Sequence, residues 1–426
     1  MNCKHCNAPL EEGVSVCPAC GTENQKTVVW KRILAAVCGV LLLGTVVCAV
    51  LYGLGVLDFA ERENDLQYKK SYTVSNQAAK RKGTVVVATV NSQELTNEEL
   101  QIYYCIEVLE YVSTYGDYLT ELGLDVKKPL HKQYYDEKTK LTWQQLFLGK
   151  ALSKWYTYAM LNEQAQIEHY ETGEQMQKLL QNMSKNLEDM AKNYGYSSAQ
   201  EMVETDFGGA CTAQAYMRTM AEYYTAMDYF DYKYLLLTPT QEEISAFFEE
   251  NKDALTASGI KKDSGKYVDV RHILITPVGG KTEGDTTIYS EAEWEACRAS
   301  AQALLDRWLG EGGSEESFAQ LAKTNSQDPG SASNGGLYTQ VTKGKMVEAF
   351  DNWIFDESRQ KGNYGLVKTE FGYHIMYFVS SEDIWVSQVR DQMLTEHMEL
   401  FISQIKERLP MQVNYKNIVL GNVTLN

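Results

Sequence analysis

Apolar positions along this chain follow three patterns. From Ile33 to Leu57 no charged residue interrupts a run of twenty-five. At about 1.5 Å of rise per residue such a helix is roughly 37 Å long, enough to cross a hydrocarbon core of about 30 Å with some tilt. Lys26, Lys31 and Arg32 precede it, and Asp58, Glu61 and Glu63 follow it. The positive flank faces the cytoplasm, so residues after about 58 are expected outside. A cleaved signal peptide would put a short apolar core at the N-terminus. A lipoprotein signal would need a small residue where Val47 precedes Cys48. The run therefore predicts an uncleaved, single-pass anchor.

The second pattern has the helical period. Residues 58–82 are polar and read as a linker. A strand-like run at 85–90 and a turn at Asn91 and Ser92 lead to Thr96, three residues before Glu99, a pairing that starts helices. Further helices are predicted at about 142–169, 173–193 and 212–236. Another is opened by Thr240 and Glu243. Their tyrosine and methionine stripes are read as core. The third pattern, over 266–380, mixes alternating runs at 267–275, 365–367 and 373–379 with helices at about 291–309, 318–323 and 346–353. The fold class is α+β.

Composition narrows the function classes. The formal net charge is -17, which repels nucleic acid, so no nucleic-acid partner is expected. Four of the nine cysteines, Cys3, Cys6, Cys17 and Cys20, form two pairs with two residues inside each. Four thiolates suit tetrahedral zinc, and so short a segment has little apolar core, so metal would supply its folding energy. A minimal structural Zn2+ ribbon over 1–25 is expected; a redox-active cluster is the other reading. Cys105, Cys211 and Cys297 are too scattered for a disulfide framework and read as small buried residues.

The region 266–380 carries five motifs in order: Arg271-His272-Ile273-Leu274; Phe318 to Ala322; the loop from Ser326 and Asp328 to Gly335, Gly336 and Leu337; Gly344 to Phe350 through Met346; and Phe371 to Ile375 through His374. Together they resemble a parvulin-type peptidyl-prolyl isomerase (rotamase) domain. The flanking segments are similar to foldases of the PrsA and SurA type. The resemblance implies a small antiparallel sheet with surrounding helices, inserted in a mainly helical chaperone module made of 83–251 and 384–426, the latter a final helix followed by a strand near Val413–Val423. It implies paired imidazoles His272 and His374, with Thr369 completing their hydrogen bonds. Asp328, and more weakly Ser326, would act near the twisting carbonyl, and Leu337, Met346 and Phe350 would hold the prolyl ring. No catalytic cofactor is implied.

Two features set this chain apart from that pattern. Tyr338 follows Leu337 where relatives carry glycine, and residues 355–362 differ as well. The loop 276–287 offers Lys281 beside Glu283 and Asp285, without the basic cluster that would pair with phosphate. Three functions follow: an extracytoplasmic isomerase helping secreted proteins with X–Pro bonds to fold, in a bacterium with a single membrane; a holdase with an idle rotamase; or a transmembrane scaffold.

Overall fold

The computed structural model describes residues 71–283 and 286–423. The expected zinc ligands and the apolar run at 33–57 lie outside the described residues. Among the described residues no helix is long and apolar enough to cross a membrane, and no group of side chains could hold a metal ion. These residues divide into two compact units, one of residues 71–237 with 395–423 and one of residues 238–394.

The first unit opens with a short helix, α1 (Asn76–Arg81), capped by the Ser75 hydroxyl. The segment read as a linker up to residue 82 is therefore part of the fold from Ser71 onward: Tyr72 is buried and Thr73 bridges to Leu420. A hairpin of β1 (Val86–Val90) and β2 (Gln93–Thr96) follows, with Asn91 in the left-handed conformation its turn requires. Thr96 and Glu99 cap α2 (Asn97–Tyr115) reciprocally. A small ribbon, β3 (Tyr134–Asp136) with β4 (Leu141–Thr142), leads into α3 (Trp143–Ile167), itself opened by a Thr142–Gln145 capping box. Then come α4 (Glu174–Asn193), α5 (Ala199–Phe207) and α6 (Ala213–Leu237).

Helix α3 is buried on nearly every side, as expected of a helix without a polar face. It packs with α2 and α6 through the tyrosines that the sequence placed in the core. The rings of Tyr103 and Tyr158 lie 6.1 Å apart, and those of Tyr158 and Tyr223 meet edge to face at 5.3 Å. Glu222 sits inside this packing, accepting from the Tyr103 hydroxyl at 2.8 Å and Trp155 Nε1 at 3.1 Å.

The second unit begins with α7 (Gln241–Glu250) and α8 (Lys252–Ala257). The sequence reading put α7 in the chaperone module; the structure groups it here. Next are β5 (Lys266–Ile275), a ribbon of β6 (Lys281–Glu283) and β7 (Thr286–Ile288), α9 (Glu291–Gly310) and α10 (Glu315–Asn325). β8 (Leu337–Val341), α11 (Glu348–Ile354), β9 (Tyr364–Thr369) and β10 (Gly372–Asp383) complete the sheet region.

The strands pair antiparallel in the order β8-β5-β10-β9. Side chains alternate across a strand, so each face builds its own core. On one face Ile273, Ile375 and Tyr377 pack with Leu305, Trp308, Phe318 and Leu321 from α9 and α10. On the other, Val268, Val270, Met376 and Phe378 pack with Phe350 and Ile354 of α11. A third cluster joins α7 and α8 to the first part of α12 (Ile384–Arg408), where Phe248 meets Trp385 edge to face at 5.0 Å.

The chain then returns to the first unit. β11 (Gln412–Val413) pairs with β1, giving the order β11-β1-β2. This strand is far shorter than the run expected near Val413–Val423. The residues after it are held by side chains instead. Asn97 donates to the Asn417 carbonyl at 3.1 Å and accepts from the Val419 N–H at 2.9 Å, and Gln101 accepts from the Gly421 N–H at 2.7 Å.

Candidate active site

His272 on β5 and His374 on β10 belong to neighbouring strands and point to the α11 face. His272 is in register with Met376, so His374 is its diagonal neighbour. The rings stack with centroids 5.2 Å apart, and the two Nδ1 atoms are 3.0 Å apart. Phe350 meets both rings edge on, at 5.2 and 5.4 Å.

The outer nitrogens have partners too. His374 Nε2 lies 2.8 Å from Thr369 Oγ1, which also accepts from the Phe371 N–H. His272 Nε2 lies 3.2 Å from Asp328 Oδ2 and 3.0 Å from Ser331 Oγ. A carboxylate only accepts, so it orients the whole chain of protons. With both rings neutral, His272 Nε2–H points at Asp328, His374 Nδ1–H points at His272, and the Thr369 hydroxyl donates to His374 Nε2. This tautomer assignment follows from the hydrogen-bond pattern.

Electrostatics agree with that arrangement. Burial, then the neighbouring His272, lowers the His374 pKa to about 4, so this ring is neutral near pH 7. Asp328 is held far below the usual carboxylate range, first by the hydrogen bond from His272 and further by Ser331 and Tyr338, against the opposing effect of burial. Its Oδ2 accepts from Ser331 at 2.5 Å and from the Tyr338 hydroxyl at 2.9 Å. Its side chain keeps 16% of its surface exposed, whereas that of His272 keeps 3%. The site is thus two buried imidazoles, that of His374 neutral, with one ionised carboxylate at the mouth.

The loop that carries Asp328 depends on glycine. Gly336 has φ of +73°, and a Cβ there would lie 2.1 Å from the His272 carbonyl oxygen, so only glycine admits this approach.

The sequence-derived residues divide as follows. His272, His374, Thr369, Asp328 and Phe350 come together. Met346, like Tyr338, packs at the edge of the α11-face core. It precedes α11, whose N-cap is Val347, so it does not share a helix with Phe350 as the spacing suggested. Ser326 stands apart from the imidazoles. Its hydroxyl accepts from the Leu274 N–H at 3.1 Å and the Asp328 N–H at 3.3 Å, which ties the loop to β5. Leu337 is in register with Arg271, while Tyr338 is in register with Val270. Cross-strand partners share a face. The residue of β8 against His272 is therefore Tyr338, its ring stacked at 5.2 Å.

Ser331 and Tyr338 were not in the sequence-derived set. Tyr338 had a signal, as the departure after Leu337; Ser331 had none. Beyond Thr369, an open cavity of about 660 Å³ is lined by Trp294, Val347, Glu348, Lys368 and Glu370 among others.

Residues 255–380 match the family described as Rotamase_3, the PPIC-type PPIASE domain. The chain is 33% identical over 202 residues to the foldase protein PrsA of Exiguobacterium sibiricum, covering 42% of this chain and 64% of that protein. It is 31% identical over 156 residues to the chaperone SurA of Pseudomonas aeruginosa, covering 34% of each. Among solved structures, PrsA from Bacillus subtilis aligns with 18% identity over 65% of this chain and 91% of that one, with a TM-score of 0.29. The chain thus spans less than two thirds of the length of these two curated relatives. Its second unit contains a parvulin-type peptidyl-prolyl isomerase domain, and the mixture of helix and sheet expected for such a chain is present.

Proposed function

We propose that this chain catalyses cis–trans isomerisation of X–Pro bonds in unfolded polypeptides outside the cytoplasm, tethered by residues 33–57. The observation that carries the reading is an ionised Asp328 at the mouth of a site whose two imidazoles are buried, hydrogen-bonded to one another and held by Phe350.

The physical task is rotation about an amide, against a barrier of about 18–20 kcal/mol from resonance. Resonance places negative charge on the carbonyl oxygen, and twisting the bond removes it. A carboxylate beside that oxygen is repelled less by the twisted amide than by either planar form. It therefore favours the transition state over both ground states. Met346, Phe350 and the ring of Tyr338 offer an apolar seat for the proline. The histidine pair fixes the geometry of the carboxylate without changing protonation. No bond is made or broken, so the reaction requires no cofactor.

A protease-coupled isomerisation assay with unphosphorylated X–Pro peptides tests this. Wild type should accelerate the exchange. Asp328→Ala should lower kcat/KM at least about tenfold, and Met346→Ala should weaken binding of the proline by a similar factor. The second reading, a holdase with an idle rotamase, is favoured by Tyr338, a bulky ring where the family pattern has glycine. A folded chain that suppresses client aggregation but does not accelerate isomerisation would establish it.

The similarity to a protein named foldase and to proteins named chaperone supports secreted, unfolded clients as partners. A structural Zn2+ at Cys3, Cys6, Cys17 and Cys20 on the cytoplasmic side of a single membrane belongs to the same proposal. It rests on the spacing of those residues alone.

A further inference from the structure

Tyr338 interrupts an otherwise familiar motif, and the molecule is built around it. Its ring stacks on His272 with an interplanar angle of 20°. Its hydroxyl donates to Asp328 Oδ2 at 2.9 Å. Gly330 provides the space: a Cβ on that residue would lie 2.7 Å from the Tyr338 oxygen. No positive φ demands glycine at position 330, so the missing side chain serves the tyrosine rather than the backbone.

Three donors converge on one oxygen of Asp328: His272 Nε2 from β5, Ser331 Oγ from the loop and Tyr338 from β8. No hydrogen bond reaches the other oxygen, Oδ1, among the described residues. The donors fix the carboxylate by one edge and leave Oδ1 directed away from them. Ser331 and Tyr338 each contact both members of the pair; Ser331 does so through its hydroxyl alone, whereas Tyr338 stacks its ring on His272 and donates its hydroxyl to Asp328.

We propose that Tyr338 is a positioning residue of this site, a clamp that holds Asp328 against His272 and leaves Oδ1 for the substrate. It rests on the isomerase reading only for what Oδ1 then does; the clamp itself is a property of the free protein. The charged and titratable groups facing Asp328 are few. They are His272 from β5 and Tyr338 from β8, with His374 on β10 one ring further back. Removing one donor from the carboxylate must raise its pKa, because the ionised form loses a hydrogen bond that the protonated form needs less.

Two variants of the full chain test the clamp. Tyr338→Phe keeps the stacked ring and removes the donor. Gly330→Ala leaves every site residue in place and displaces the hydroxyl. The first readout is the titration of the Asp328 carboxyl carbon by NMR, which does not depend on catalysis. Both variants should move that titration to higher pH, with Tyr338→Phe showing the larger shift. An Asp328 titration in Tyr338→Phe identical to wild type would overturn the clamp, whether or not the protein is an isomerase.

The second readout is the exchange assay across pH. Tyr338→Phe should lower kcat about tenfold at neutral pH with little change in KM, and the acid limb of the profile should move up with the carboxyl titration. Faster isomerisation in Tyr338→Phe or Tyr338→Gly would also overturn the clamp and make the tyrosine an obstruction. An inactive wild type with a shifted Asp328 titration in the variants would refute the isomerase reading while upholding the clamp.

Discussion

His374 links the chemistry of the site to the stability of the fold. Its pKa is lowered to about 4 in the folded chain, against 6.5 for an unperturbed imidazole. Between those values the unfolded chain binds the extra proton and the folded chain does not. The neutral ring therefore contributes stability that is complete above about pH 6.5 and is lost as pH falls towards 4, by roughly 3 kcal/mol at most. Asp328 adds to the loss at lower pH, because its depressed pKa means that protonation favours the unfolded chain. Denaturant titrations at a series of pH values should show this decline, and His374→Gln should flatten it between pH 6.5 and 4. An unchanged slope in the variant would assign the acid lability elsewhere. The residues that could be picked from sequence here were those with unusual chemistry or a motif around them: His272, His374, Asp328 and Thr369. Ser331 could not be picked, because a serine in a polar loop carries no mark. Only the fold of the loop brings its hydroxyl to both His272 and Asp328.

At the level of elements, the loop between α10 and β8 and the end of the chain show how single residues hold long segments. Gly336→Ala would force a Cβ against the His272 carbonyl at a positive φ, so β8 would have to move away from β5. The expected cost is more than about 2 kcal/mol, read as a lowered midpoint in denaturant and lost isomerisation together. Asn97→Ala would leave the backbone at Asn417 and Val419 without its partner. It should cost about 1–3 kcal/mol and expose amides 417–421 to hydrogen exchange; unchanged protection there would remove Asn97 from this role. Helices were readable because capping pairs and periodicity are local: Thr96 with Glu99 and Thr240 with Glu243 mark the starts of α2 and α7. β2 and α5 were not resolved from sequence, and β11 is much shorter than the strand expected there. Strands of two to four residues have too few alternations to define a period, and their stability lies in partners distant along the chain.

For the whole molecule, the division at residues 237/238 and 394/395 predicts separable behaviour. Trp385→Ala opens a cavity in the cluster with Phe248 and should destabilise the second unit by about 3–5 kcal/mol. If the proposed Zn2+ at Cys3, Cys6, Cys17 and Cys20 is bound by an independent module, a chelator should leave the isomerisation rate of the full chain unchanged, and a large loss of rate would mean coupling between them. The sequence by itself determined the class of fold, the parvulin-like order of motifs, the helix starts, and which residues carry unusual chemistry, because these depend on neighbours a few positions apart. Tertiary structure decided which segments close a sheet with β1, that α7 belongs with the second unit, and that Tyr338 rather than Leu337 faces His272. Those outcomes depend on strand register and on cores assembled from distant segments, and a shift of one residue in register exchanges the two faces of a strand.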